Sequence, residues 1–211
     1  MSRRRPAVLL TGFGPFPGVP ENASSLLVPE LAALARRRWP GVHFEAAVLP
    51  TEWLAGPASV AEILDELRPS VALHFGVAST ARGFAIESRG HNRARQVCDA
   101  AGLLPPSDRL SPDGPESFAA SLPIARIVAR LRRRLLPVRL SRDAGGYLCN
   151  AVLYRSLQRA RQADWRMRTG FIHLPASLGT TAGSHRAGIR LDWSQALEGS
   201  LDIVAETLGR S

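Results

Sequence analysis

Short apolar runs alternate along the chain with longer segments in which apolar residues recur at helical spacing. The runs have the length and flanking turn residues of strands, and the longer segments are typical of amphipathic helices. The runs predict six strands: Ala7–Thr11, His43–Leu49, Val71–Gly76, Phe84–Glu87, Val138–Ser141 and Thr169–Leu174. The longer segments predict five helices: Ser25–Trp39, Glu52–Leu67, Pro123–Leu135, Cys149–Gln162 and Trp193–Leu208. Strands that alternate with helices predict an α/β fold.

Three of the predicted helices are preceded by residues that often begin helices. Thr51 stands before the second helix, and Ser121 with Pro123 opens the third. Asp192, before the last helix, is followed by Gln195 at the spacing of a capping box. We therefore expect these residues to mark the starts of the three helices.

Residues 88–120 interrupt the alternation of strands and helices. This segment is rich in Arg, Pro, Gly and Ser and has no sustained hydrophobic period. Long loops inside compact domains are often functional or form interfaces. We predict an irregular excursion from the core, which has room for short irregular strands. Since no repeat or composition shift marks a second domain, residues 1–211 are predicted to form one domain.

Composition is ordinary for a soluble globular protein, with 45% hydrophobic and 21% charged residues. No apolar run approaches the roughly 18 residues that span a bilayer. The apolar stretch near the amino terminus, AVLL, is too short for a signal peptide. Cys98 and Cys149 are the chain's two cysteines and do not make a disulfide framework. We therefore predict a cytoplasmic protein with no membrane partner.

The net charge of +9 raises the alternative of a nucleic-acid-binding protein. All 27 basic residues are arginine, and the clusters 36–38 and 132–134 fall at or near the ends of predicted helices, where cations suit the helix dipole. No aromatic residues are interleaved with them to stack bases. These clusters therefore indicate solvated helix ends, and we predict no nucleic-acid partner.

A loop rich in glycine and proline, residues 11–25, follows the first strand. Loops at the carboxyl ends of strands are common ligand sites in open α/β sheets. The glycines fit neither the dinucleotide fingerprint nor the P-loop pattern. The loop does contain Phe13, Phe16 and Asn22. Taken alone, two loop phenylalanines are more often packing residues than pocket residues, so both interpretations stay open here.

Cys149 is predicted to lie in the first turn of a helix, where free amide hydrogens and the helix dipole favour a thiolate. The same amides can stabilise an oxyanion on an attacked carbonyl. His173 ends the apolar run GFIH and can serve as acid and base, with Glu87 as an orienting acceptor. The alternatives are a packed, inert cysteine and an exposed structural glutamate. The remaining histidines are assigned structural roles: His43, His74, His91 and His185.

Three motifs resemble those of pyroglutamyl peptidase type I, the pyrrolidone-carboxylate cysteine peptidases, and occur in that family's order. TGFGPF at residues 11–16, followed by Asn22, resembles the family's amino-terminal signature. AGGYLCN at residues 144–150 resembles the block around its nucleophile. GFIHLP at residues 170–175 resembles the segment that carries its base, and Glu87 fits the acidic position.

The resemblance implies a peptidase that removes an amino-terminal pyroglutamyl residue from peptides, without a cofactor or a metal. It implies that Cys149 is the nucleophile, His173 the general acid and base, and Glu87 the partner that orients His173. It also implies a homodimer or homotetramer. The fold expected with it is a single-domain, three-layer α/β/α sandwich with a central, mostly parallel twisted sheet.

Pyroglutamate is a small neutral lactam without a free amine, so an apolar slot with few hydrogen bonds suits it. The resemblance implies that Phe13, Phe16, Tyr147 and Leu148 form the walls of this slot. Asn22 is expected to fix either the loop or the lactam.

The chain departs from the family pattern near these residues. Val77 stands where the family usually has glutamine, and Val97 where it usually has arginine. Ser141-Arg142-Asp143 replaces the common S-N-T ahead of the cysteine block. The three residues implied to be catalytic are unchanged. The alternative function is a thiol hydrolase of different specificity, or an inactive peptide-binding relative, on the same scaffold.

Overall fold

The structure is a computed structural model and describes residues 5–178 and 191–209. Within these ranges it contains eight strands: β1 (Ala7–Phe13), β2 (His43–Leu49), β3 (Val71–Ala78), β4 (Phe84–Glu87), β5 (Arg89–His91), β6 (Ser117–Ala119), β7 (Val138–Ser141) and β8 (Arg168–Pro175). It contains five helices in the same ranges: α1 (Ala23–Arg38), α2 (Ala55–Leu67), α3 (Ile124–Arg133), α4 (Leu148–Gln162) and α5 (Trp193–Leu208).

Six of the strands form one sheet in the order β2-β1-β3-β8-β4-β7. β1, β2, β3 and β8 run parallel to one another, whereas β4 pairs with β8 in antiparallel and with β7 in parallel orientation. Every residue of β1 and β4 is buried, and so is all of β8 except its first residue. Such continuous burial is typical of central strands that are covered on both faces.

Two separate apolar cores cover the two faces of the sheet. One core joins the sheet to α1, α3 and α5, and the other joins it to α2 and α4. The predicted three-layer α/β/α sandwich with a mostly parallel sheet is confirmed. None of the helices in the described parts of the chain has the length and apolar character that a membrane crossing requires.

The predicted strands of the main sheet and the five predicted helices are confirmed, with small differences at their ends. The largest difference is at α2, which begins at Ala55 rather than at Glu52. The predicted capping box is present, because Gln195 N donates to Asp192 Oδ1 at 2.7 Å and Asp192 N donates to Gln195 Oε1 at 3.1 Å.

The starts of α2 and α3 lack a side-chain cap, although Pro123 directly precedes α3, as predicted. The hydroxyl of Thr51 donates to the carbonyl of Gly14 at 3.0 Å, and α2 begins later without a side-chain cap. The hydroxyl of Ser121 accepts from the backbone N–H of Thr169 at 2.8 Å, and no side chain caps α3. Both hydroxyls bond to backbone groups that are distant in sequence, and a local sequence pattern does not reveal such contacts.

The excursion at residues 88–120 is irregular, as predicted, and includes the short antiparallel pair of β5 and β6. Asn92 holds it together by donating to the carbonyls of Ser111 and Gly114. The hydroxyl of Tyr154 on α4 donates to the carbonyl of Pro115 at 2.9 Å. The excursion is therefore fastened to α4, the helix that carries Cys149.

Candidate active site

Cys149 is the second residue of α4 and lies in its first turn, as the pattern predicts. The chain enters this helix through a turn in which Gly145 has φ = +85°, a conformation that other residues rarely adopt. Tyr147 precedes the helix in an extended conformation, and no side chain of the described residues caps this end. The amide groups of the first turn are thus available beside the cysteine sulfur.

The sulfur of Cys149 lies against the backbone of β3. A Cβ atom placed on Gly76 would lie 3.2 Å from Cys149 Sγ and 2.8 Å from Cζ of Phe171. Glycine at this position is what allows the cysteine and the Phe171 ring to approach the strand so closely.

His173 lies near the carboxyl end of β8, and its Nδ1 is 2.8 Å from Oε1 of Glu87 on β4. Only 5% of His173 and 1% of Glu87 is exposed, so Glu87 is not an exposed structural glutamate. Since an ionised carboxylate only accepts, Nδ1–H donates to Glu87, and the imidazole is also hydrogen-bonded to Cys149. The structure therefore brings Glu87, His173 and Cys149 into one connected group.

Three effects act on the protonation of His173. Burial lowers its pKa, but the adjacent Cys149 sulfur and the Glu87 carboxylate outweigh burial and raise the pKa to about 9. The two anionic neighbours thus stabilise the imidazolium form. The imidazolium form of His173 is therefore favoured near neutral pH, beside the Cys149 sulfur.

Cys149 and His173 border a cavity of about 500 Å³. Its lining includes all eight residues predicted for the site: Phe13, Phe16, Asn22, Glu87, Tyr147, Leu148, Cys149 and His173. Residues that are distant in sequence are thus gathered around one space.

Three phenyl or phenol rings line this cavity, those of Phe13, Phe16 and Tyr147, and further aromatic rings pack behind them. The rings of Phe16 and Tyr147 lie 5.9 Å apart, and Trp53 meets Tyr147 edge-on at 5.2 Å. Phe13 is only 2% exposed and packs against Phe171 with ring centroids 6.1 Å apart. Phe13 therefore belongs to the core as well as to the cavity, whereas Phe16 is half-buried in the loop.

Leu148, like Phe13, both lines the cavity and packs in the apolar core. It is fully buried and belongs to the apolar core that joins the sheet to α2 and α4. It therefore borders the cavity from within the core.

Asn22 organises the loop that carries Phe16. Its Oδ1 accepts from the backbone N–H of Ser24 at 3.2 Å at the start of α1, and its Nδ2 donates to the carbonyl of Gly14 at 3.1 Å. Of the two roles expected for Asn22, these bonds support fixing the loop. Thr51 donates to the same carbonyl, so two side chains hold the loop in place.

Sequence reasoning missed four residues around the site. Thr51, Arg95 and Arg139 line the cavity but belong to none of the family motifs. Asn150 stands in the cysteine motif, and its buried amide bonds the backbone N–H and C=O of His91 at 2.8 Å each. These bonds fasten α4 to β5, so the only available signal for Asn150 was its place beside Cys149.

The backbone of the other cysteine contacts Tyr147, which lines the cavity. Cys98 is exposed, and its carbonyl accepts from the hydroxyl of Tyr147 at 3.3 Å. Burial, with lesser contributions from Asp99 and the two cysteines, raises the pKa of Tyr147 to about 12. Tyr147 therefore stays a neutral hydrogen-bond donor.

Among the other histidines, His74 is fully buried and bonds through its Nδ1 with the hydroxyl of Thr11 at 2.8 Å. Burial lowers the pKa of His74 to about 3, so it is neutral. His91 bonds the carbonyl of Arg142 at 2.9 Å, and His43 lies 3.6 Å from Glu45. These contacts are structural, and His185 lies outside the described residues.

Within the described ranges, no group of three or more His, Cys, Asp or Glu side chains is arranged to hold a metal ion. The site instead combines a cysteine at a helix start with an imidazole that a buried carboxylate orients. This arrangement, on an α/β sheet, defines a hydrolase that acts through a cysteine nucleophile.

The comparisons with known proteins identify the family within this class. The model of the pyroglutamyl peptidase family matches residues 6–207. The chain therefore belongs to the pyroglutamyl peptidase family of cysteine peptidases.

Named relatives agree with this assignment. The pyrrolidone-carboxylate peptidase of Oceanobacillus iheyensis is 32% identical over 81% of this chain and 84% of its own length. That of Chromobacterium violaceum is 38% identical over 80% of this chain and 77% of its own length.

Two solved structures are also similar. A mutant pyrrolidone carboxyl peptidase from Pyrococcus furiosus has a TM-score of 0.86 and 26% identity, covering 96% of this chain and 98% of its own. Pyroglutamyl peptidase I from Bacillus amyloliquefaciens has a TM-score of 0.84 and 25% identity, covering 97% and 98%.

Proposed function

We propose that this chain removes amino-terminal pyroglutamyl residues from peptides, with Cys149 as nucleophile, His173 as general acid and base, and Glu87 as the group that orients His173. The observation that carries the assignment of these roles is the 2.8 Å contact of His173 with Glu87, combined with the hydrogen bond between His173 and Cys149. An imidazole held in this way has one nitrogen directed to the carboxylate and the other free to exchange a proton at the sulfur.

The cavity supports a neutral, ring-shaped substrate group. Its aromatic wall offers flat apolar surface to a five-membered lactam. Two carboxylates line the cavity, and both are already paired: Glu87 with His173, and Asp143 with Arg93 at 2.6 Å. A substrate with a charged amino terminus would find no free carboxylate among the described lining residues, whereas a lactam needs none.

The reaction begins with attack of the Cys149 thiolate on the carbonyl that joins the lactam to the next residue. The carbon–sulfur bond forms, and the negative charge that develops on the carbonyl oxygen is stabilised by amide groups of the first turn of α4. His173 then gives its proton to the departing amine as the carbon–nitrogen bond breaks. Water, deprotonated by His173, attacks the thioester and releases pyroglutamate with the thiol restored.

The assay that tests this function compares a pyroglutamyl fluorogenic amide with a prolyl amide on wild type and Cys149→Ala. The prolyl amide has a similar ring but a charged amine in place of the lactam. We expect wild type to cleave only the pyroglutamyl amide at a substantial rate and Cys149→Ala to cleave neither. Preference for the prolyl amide would refute the substrate assignment, and turnover by Cys149→Ala would refute the nucleophile.

A further inference from the structure

Arg139 shares one row of the sheet with the catalytic histidine. Across four neighbouring strands the register pairs Gly76 with His173, His173 with Ala85, and Ala85 with Arg139. Residues in register project from the same face of a sheet, here the face on which Cys149 lies. Strands are about 4.8 Å apart, so the Cα atoms of His173 and Arg139 are about 10 Å apart, and an arginine side chain spans much of that distance.

The order of the strands separates the two ends of the substrate. Phe13 is on β1, on one side of the strand pair that carries Gly76 and His173, and Arg139 is on β7, on the other side. With the lactam beside Phe13 and the sulfur over Gly76, the departing amine must face His173 to receive its proton. The peptide that follows the pyroglutamyl residue then extends toward β7 and Arg139.

The charges that line the cavity leave a positive excess. Arg95 and Arg139 are exposed, and in the part of the chain that the structure describes neither side chain has an acidic partner. The residues outside that part contain no aspartate or glutamate. The lining carboxylates of Glu87 and Asp143 are paired, as described above. Arg139 is thus a free cation beside the path of the leaving peptide.

We propose that Arg139 binds a carboxylate carried by the residue that follows the pyroglutamyl group, and so makes this site selective for acidic leaving groups. The inference rests on the proposed function for the orientation of the peptide. The carboxylate has two sources: an aspartate or glutamate side chain, or the terminal carboxylate of a dipeptide. Guanidinium groups bind either by paired, charge-assisted hydrogen bonds.

The test compares three substrates that differ only in this carboxylate. They are pyroglutamyl-glutamate amide, pyroglutamyl-glutamine amide, and pyroglutamyl-glutamine with a free terminal carboxylate. At low ionic strength we expect wild type to favour either or both acidic substrates over the neutral amide by about three- to tenfold in kcat/KM, mainly through KM. Comparison of the two acidic substrates shows whether a side-chain or a terminal carboxylate is bound. The preference should shrink at about 0.5 M salt, because exposed charges are screened.

Three variants assign the preference to Arg139. Arg139→Gln should bring the ratio close to one, and Arg139→Lys should keep part of it. Arg139→Glu should instead favour pyroglutamyl-lysine amide. Arg37→Gln is the matched control, because it removes the same charge from an exposed position on α1 and should leave the ratio unchanged.

Wild type that cleaves all three substrates with equal kcat/KM would overturn the proposal while leaving the peptidase function intact. Equal loss of the preference in Arg37→Gln would overturn it as well, since net charge alone would then be responsible. If no pyroglutamyl substrate is cleaved, the proposed function fails. The role of Arg139 is then tested separately, by measuring how tightly the three peptides bind. Cys149→Ala should bind the acidic peptides about three- to tenfold more tightly than the neutral one, and equal dissociation constants would refute it.

Discussion

The imidazole of His173 and the carboxylate of Glu87 are joined at 2.8 Å while both are almost entirely buried. Within the described residues, the second oxygen of Glu87 has no hydrogen-bond partner. A buried carboxylate is costly unless an opposite charge accompanies it. The imidazolium form of His173 supplies that charge, so Glu87 both orients the ring and favours its protonation.

Removing the charge of Glu87 should therefore change the pH dependence of the reaction. In wild type, the alkaline limb of kcat/KM is expected near pH 9, where His173 loses its proton. Glu87→Gln keeps an acceptor for Nδ1–H but removes the anion that raises the pKa of His173. The alkaline limb should then move to lower pH by about one to two units, with a lower maximum rate, as measured by kcat/KM between pH 5 and pH 10.

An unchanged alkaline limb in Glu87→Gln would contradict this assignment. Glu116→Gln is a suitable control, because it removes a carboxylate that pairs with Arg109 on the exposed excursion. It should leave both the limb and the maximum rate as in wild type.

The largest influence that raises the pKa of His173 is Cys149, and this can be tested without turnover. In Cys149→Ala the anionic sulfur is gone while burial remains, so the pKa of His173 should fall below its wild-type value. Because folding raises the pKa of His173, its protonation adds to the free energy of unfolding. That contribution is fully present below pH 6.5 and is lost as the pH rises through about 9. Imidazole resonances followed by NMR against pH report the pKa, and an equal or higher value in Cys149→Ala would exclude the ion pair.

Selective alkylation should distinguish the two cysteines. Cys149 pairs with the imidazole at a helix start, whereas Cys98 is exposed on the excursion with no such partner among the described residues. At neutral pH, iodoacetamide should therefore modify Cys149 at least about tenfold faster than Cys98. Mass spectrometry of digested protein gives both rates. Faster modification of Cys98, or loss of activity in Cys98→Ala, would mean that Cys98 rather than Cys149 is the nucleophile.

The contact between Gly76 and Cys149 predicts a defect in catalysis from a single methyl group. In Gly76→Ala the added carbon would press on the Phe171 ring and on the sulfur. A displacement of about 1 Å at a reacting atom can cost about a hundredfold in rate, so we expect a loss in kcat of that order. Gly41→Ala is the matched control, because nothing lies within 4 Å of a carbon placed there. Wild-type kcat in Gly76→Ala would mean that the sulfur is not held against β3.

Hydrophobic periodicity predicts those features of the molecule that depend only on the local sequence. The strands and helices follow from local apolar patterns, and Cys149 follows from the turn residues before α4. The antiparallel pairing of β4 with β8 does not follow from a local pattern, because the neighbour of a short strand depends on the arrangement of the whole sheet. That pairing buries Glu87 beside His173, which the family resemblance implied but periodicity did not. It also puts Arg139 in the row of His173, which nothing in the sequence predicted.

The two cavity phenylalanines should respond differently to truncation, because only one of them is a core residue. Phe16 is half-buried in the loop and touches Tyr147, so Phe16→Ala removes one wall of the slot while leaving the sheet intact. Burial contributes roughly 25 cal/mol per Å², and several tens of Å² of lost contact correspond to about 1–2 kcal/mol. The expected result is a drop of about ten- to thirtyfold in kcat/KM for a pyroglutamyl amide, with little change in melting temperature.

Phe13→Ala provides the comparison. Phe13 is 2% exposed and packs in the core between the sheet and the α2 and α4 helices, so its truncation should cost about 3–5 kcal/mol of stability. Kinetics with the pyroglutamyl amide and thermal unfolding, measured on both variants, separate the two effects. If Phe16→Ala instead unfolds as readily as Phe13→Ala, then Phe16 is a packing residue. The lactam slot would in that case have to be formed by Tyr147 and the residues around the catalytic pair.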